Sequence, residues 1–334
     1  MKIFARDLKS PELRGFVETN GENTTDRNGR EDYAVDFEEL ADCFASFSRL
    51  FTQDKTGKTL IETAVQDWPV FSSKTIARQV LKKTLAKTKP GYALTDTVVL
   101  RPDLENGVST WQRLKREVRE EKRFFAGFAA SELDEWLSPQ DWLKQGANFY
   151  RARIVPKGKQ ALGVNEMGCP PADKASGGRA NPEGIPYLYL AEQRETTLYE
   201  VRAVYLDRVS IGHFKLQQDL TIVNFAETDD IFDAYFDDDS SFESVVRKKR
   251  TLKAIGFDLS RPLRRFDNPL IEYTPTQAVC EFCKLHGADG IRFRSSLHPG
   301  GVNVVLFDAK DAVCADVETV EVMSVKLQSQ AALM

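Results

Sequence analysis

In the first 125 residues apolar side chains recur every third or fourth position, the spacing that gathers them on one face of an α-helix. VDFEELADCFASFSRLF (35–51) and KTIARQVLKKTLAK (74–87) both show it. STWQRLKREVREEKRFF (109–125) sets Trp111, Leu114, Val118 and Phe124 or Phe125 toward a core, with charge on the opposite face. Residues 1–35 are polar and rich in turn formers (ETNGENTTDRNGRED), which predicts a loosely ordered start.

Past residue 140 the period shortens. NFYRARIV, YLYLA, RVSIGHFKL, LTIVNF, GIRFRS and VNVVLF are short strand-like runs with helical segments between them. Thr274-Pro275-Thr276-Gln277 has the threonine, early proline and glutamine of a capping box, and Gly287 is placed to end the helix that follows. The acidic stretch DDIFDAYFDDDSSFESV (229–245) is interleaved with aromatics and reads as a surface helix. The expected fold class is α+β. A mainly helical N-terminal domain over 1–140 precedes a domain over 141–334 built on a mixed, mostly antiparallel sheet, and 334 residues suffice for both.

Composition narrows the function. Lysine plus arginine number 46 against 50 acids, a net charge of -4 that gives no global attraction to nucleic acid or membrane. No run of eighteen apolar residues occurs and MKIFARDLKSPEL lacks a secretion-signal pattern, so a cytoplasmic protein is expected. The 5 cysteines are scattered and odd in number, which predicts free thiols. Cys280 and Cys283 have zinc-knuckle spacing but no second pair, so packing is the expected role and no metal site is assigned. TGKT at 56–59 ends like a phosphate-binding loop, yet Thr52 stands where that loop needs glycine. The 3 histidines, His213, His286 and His298, all fall in the second half, which leaves the helical half without a histidine-based nuclease site.

Other residues point to chemistry. Strand alternation puts Phe149, Arg151 and Arg153 on one face and Tyr150 and Ala152 on the other. Arg179 lies in GGRANPEG, where glycines allow close backbone approach and a guanidinium offers a planar fork for phosphate or carboxylate. Tyr187 and Tyr189 share a strand face suited to stacking or to an ordinary core edge. Glu200 falls between Tyr199 and Val201 on a helix beginning near Thr196, at or near the buried side, where its charge requires a partner. In DGIRFRSS, Ser295 continues the row of Ile291 and Phe293, while Ser296 follows Arg292 and Arg294.

In order and spacing, YRAR, GRANPEGIPYLYLA, TTLYEVR and DGIRFRSS with GGVNVVLF resemble the RES-domain family over about residues 148–310. WPVF and WQRLKREV resemble, more faintly, the N-terminal region of its long members; no cysteine pair precedes Cys43 to bind zinc there. The resemblance implies a fold like that of ADP-ribosyltransferase toxins and destruction of NAD+ at the nicotinamide–ribose bond, by phosphorolysis or hydrolysis. It implies catalytic roles for Arg151, Glu200 and Ser295, or Ser296 beside it, and substrate binding by Tyr150, Arg179 and Tyr189. NAD+ is then a substrate and not a resident cofactor, with inorganic phosphate a co-substrate in one of the two reactions. The implied partner is a small antitoxin protein; no nucleic acid or membrane is called for, and a homodimer is compatible. ADP-ribosyl transfer to a macromolecule, or a non-catalytic NAD-binding role, are the alternatives.

Overall fold

The computed structural model describes residues 1–26, 28–124, 126–128, 133–226, 231–232, 241–263 and 266–325. The chain forms two compact units, Met1–Thr110 with Glu227–Lys253, and Trp111–Ala226 with Ala254–Met334. It thus passes into the second unit well before the change of texture near residue 140, and a later segment returns to the first.

The first unit contains β1 (Lys2–Phe4), α1 (Pro11–Asn20), β2 (Glu22–Thr25), β3 (Glu31–Asp36), α2 (Phe37–Arg49), β4 (Phe51–Thr59), the single turn α3 (Leu60–Glu62), α4 (Lys74–Thr88) and β5 (Thr97–Leu100). Residues 1–35 are not the loose start expected. Ser10 caps α1 by accepting from the Leu13 amide, Pro11 opens the helix, and Leu13 and Val17 are buried. The strands beside α1 form a sheet in the order β1-β3-β2. Periodicity does describe α2, whose Phe37, Leu40, Phe44 and Phe47 are fully buried, each worth about 1.5–3 kcal/mol of apolar burial. TGKT lies at the end of β4, paired antiparallel with β5. Ile231, Phe232 and Val246 of the returning segment join this core, and Arg250 pairs with Glu105. Most of the acidic stretch at 229–245 lies outside the described residues; the helix there begins at Phe242.

Across and beyond the unit boundary come α5 (Asn106–Glu120), α6 (Leu133–Trp136), β6 (Asp141–Leu143), β7 (Asn148–Ile154), β8 (Leu188–Ala191), α7 (Arg194–Glu200), β9 (Arg208–Leu216), β10 (Leu220–Asn224), α8 (Phe242–Ser260), α9 (Pro269–Glu272), α10 (Thr274–Leu285), β11 (Gly290–Arg294), β12 (Val302–Leu306) and β13 (Ala312–Glu321). Trp111, Leu114 and Val118 are buried, and the Trp111 indole donates to Asp258 at 2.8 Å. Phe124 is 85% exposed because α5 stops at Glu120, before the apolar stripe reaches it.

The eight strands of the second unit run β13-β9-β7-β8-β12-β11-β10-β6. Every pair is antiparallel except β10 with β11, so the architecture is α+β with a mixed sheet. Phe149, Leu188, Leu190, Phe214, Val304 and Leu306 form the core on one face. On the other, Leu198 and Val201 pack with Ala152, Val209 and Ile211. β7 and β8 touch through the single pair Tyr150 and Ala191, so the sheet parts there.

Among the described residues, no helix is long and apolar enough to cross a membrane, and no cluster of three or more His, Cys, Asp or Glu is disposed to hold a metal. Cys280 and Cys283 are buried in α10, and burial pushes both thiols far up. A native thiol titration should therefore leave Cys43, Cys280 and Cys283 unreactive until denaturant is added. Reaction of the α10 pair as fast as half-buried Cys169 would contradict the packing.

Candidate active site

The sheet parts beside a cleft of about 390 Å³ whose walls include Tyr150, Arg151, Arg179, Tyr189 and Glu200. Five of the six residues singled out in the sequence therefore meet on one cavity, and the sixth, Ser295, bonds directly to Glu200.

Glu200 is the last residue of α7. It shares a helix face with buried Thr196 and Thr197 one turn earlier, but at its own level that face meets the cleft, so the residue is exposed rather than buried as expected. No side chain caps the helix, which starts at Arg194 and not at Thr196. Among the described residues the carboxylate has neutral partners only. Its Oε1 accepts from Ser295 Oγ at 2.7 Å and from Asn303 Nδ2 at 2.8 Å. Oε2 takes no hydrogen bond among the described residues. The Ser295 hydroxyl is itself oriented, because the amides of Leu297 and His298 donate to its oxygen at 3.2 and 3.1 Å and leave its proton for Glu200. Ser296 instead donates to the Ser260 carbonyl. Of the two adjacent serines, Ser295 is the one joined to Glu200.

Arg151 lies on the Phe149 row of β7, yet its guanidinium crosses the parting to donate to the Tyr189 carbonyl at 3.3 Å. Burial, reinforced by neighbouring Arg153, pushes its pKa down to about 10, so at neutral pH it remains a desolvated cation. Arg179 Nη1 donates to the carbonyls of Leu259 and Arg261, at 3.0 and 2.7 Å, where α8 ends, and its guanidinium sits 5.9 Å over the Tyr273 ring. Among the described residues neither arginine has a carboxylate partner.

The loop bearing Arg179 is fixed from three sides. Asn181, buried, donates to the carbonyls of Ser176, Pro182 and Ile185. Tyr189 donates to Asn181 Oδ1 at 2.7 Å and accepts from the Ala180 amide at 3.0 Å. Its hydroxyl is thus committed to the loop, burial pushes its pKa up, and only the ring is left for the cleft. Tyr187, offered by the sequence as a second stacking ring, is buried against Phe307. From α10, Thr276 donates to the Arg179 carbonyl and Gln277 to those of Gly178 and Asn181. The expected capping box is therefore absent: Tyr273 occupies the cap position without a side-chain bond, and the glutamine serves the loop. Gly287, at φ 83°, does end the helix as expected. Tyr150 stacks with His213 at 5.4 Å, and its hydroxyl has no partner among the described residues.

Sequence reasoning missed Asn181, Gln277 and Asn303. A signal existed for the last, the lone polar residue in the apolar strand VNVVL.

The family profile of the RES domain matches residues 149–328. None of the curated proteins matches the chain. Among solved structures, a chain of the M. tuberculosis MbcT-MbcA toxin-antitoxin complex is similar at 14% identity and a TM-score of 0.32, covering 54% of this chain and 86% of that one.

Gly178 permits the loop's close approach, since a Cβ there would lie 2.5 Å from the Tyr189 hydroxyl oxygen and 2.6 Å from Asn181 Oδ1. Gly178→Ala should cost about 1–3 kcal/mol in denaturant melts by overpacking. Tyr189→Phe should cost about 1–3 kcal/mol by stranding buried polar groups. Unchanged melts in both would refute this account of the loop.

Proposed function

The chain belongs to the RES-domain family, and from that premise we propose that it degrades NAD+ by cleaving the bond between nicotinamide and ribose. The observation that carries this reading is the contrast within the cleft: a carboxylate with one free oxygen opposite two cations without anionic partners among the described residues. A dinucleotide supplies what each lacks. Its pyrophosphate suits Arg151 and Arg179 through charge-assisted bonds, and its rings suit Tyr150 and Tyr189.

Cleavage breaks the C1′–N bond, and the electron pair leaves with nicotinamide, which departs neutral. The ribose gains oxocarbenium character, which Glu200 stabilises by charge and by hydrogen bonding to ribose hydroxyls. A neutral leaving group needs no strong general acid, in keeping with a site built without a catalytic histidine. Ser295 orients Glu200 and the nicotinamide-bearing ribose. Attack by a phosphate oxygen gives ADP-ribose-1''-phosphate; attack by water, with loss of its proton, gives ADP-ribose. The reading extends to a toxin restrained by a small antitoxin protein.

Glu200→Gln keeps the shape of the side chain and removes its charge. It should lower NAD+ consumption by the purified protein at least 100-fold, on the order of losing a preorganised electrostatic group, with the melting temperature maintained. Consumption at the parent rate would overturn the assignment. Arg179→Ala should raise KM for NAD+ about tenfold or more, the scale of one charge-assisted bond. Product chromatography with and without phosphate distinguishes phosphorolysis from hydrolysis.

A further inference from the structure

Asn303 occupies an unfavourable place for an amide. It lies 8% exposed on β12, paired across the sheet with Phe293 and Ala191 and followed by the buried run Val304, Val305 and Leu306. Asparagine is depleted in strands, and a buried polar group is costly unless it is hydrogen-bonded. Its side chain lies on the wall of the cleft beside Glu200.

The side chain makes one bond among the described residues, Nδ2 to Glu200 Oε1 at 2.8 Å. A carboxylate only accepts, so this contact requires the nitrogen of the amide and fixes which way it faces. The second donor to the same oxygen is Ser295, at 2.7 Å, from the loop after β11. Two donors, one on β12 and one in the loop after neighbouring β11, thus converge on one carboxylate oxygen and leave the other without a protein partner among the described residues. We infer that Asn303 is a positioning residue that holds Oε1 of Glu200 and turns Oε2 toward the substrate. Two bonds to one oxygen restrict rotation of the carboxylate at the end of a short helix. This rests on the NAD+-cleaving reading for its catalytic consequence, but the hydrogen bond and its effect on Glu200 do not.

The test is Asn303→Val, with Ser295→Ala alongside. The melting temperature should hold or rise, because an apolar side chain replaces an amide among apolar neighbours, while an asparagine retained for architecture alone would give a fall. In crystals of the substrate-free variants the Glu200 carboxylate should rotate away from its parent orientation. For NAD+ turnover, kcat should drop about tenfold or more with KM little changed, as expected for lost orientation. A Glu200 carboxylate in its parent orientation in Asn303→Val, or parent kcat in that variant, would overturn the inference. Failure of the parent protein to consume NAD+ would instead defeat the functional reading, and the orientation of Glu200 would still decide the role of Asn303.

Discussion

Among the described residues the carboxylate of Glu200 is held by hydroxyl and amide donors and by no cation, and the rest of the cleft depends on that choice. A guanidinium at the same oxygen would neutralise the charge before a substrate arrived. Ser295 and Asn303 instead orient it at 2.7 and 2.8 Å and leave the charge in place. Both donors come from the β11–β12 region, and the acceptor ends α7, which follows β8. The order of strands therefore builds the constellation: β8 lies next to β12, and β12 next to β11.

The cations are kept apart from the carboxylate by giving them carbonyl partners. Arg179 spends one nitrogen on the carbonyls at the end of α8, an electrostatically suitable place for a cation. Arg151 bonds to the Tyr189 carbonyl across the parting of β7 and β8. Burial disfavours its charged form without removing it at neutral pH. Desolvated cations of this kind bind anions more strongly than solvated ones, since the cost of stripping water has been met during folding. Loop geometry follows the same need, with Asn181, Tyr189, Thr276 and Gln277 all bonding near Arg179.

Strands were legible in the sequence for a simple reason: alternation in NFYRARIV, YLYLA and GIRFRS is a local property, whereas the roles proposed for the site residues came from the resemblance to the RES-domain family. What local pattern could not carry was the use of side chains at long range. Thr274 to Gln277 match a capping box letter for letter, yet Gln277 bonds to the carbonyls of Gly178 and Asn181 in a loop almost 100 positions earlier. Glu200 was expected near the buried side from its apolar neighbours, but Tyr199 is 49% exposed and the helix ends at the cleft. Residues 1–35 look unstructured by composition, and become ordered because Ile3, Leu13 and Val17, few but well spaced, are buried in a core that α2 supplies. Asn303 needed its partner in view before its polarity in an apolar strand had a meaning.

The account stands on one convergence, a dinucleotide spanning Arg151, Arg179 and Glu200 in a single cleft. A crystal structure of the Glu200→Gln protein with NAD+ addresses it directly. The account predicts pyrophosphate oxygens on the two guanidinium groups and the nicotinamide ribose at residue 200. NAD+ bound elsewhere, or a cleft left empty at saturating NAD+, would contradict it.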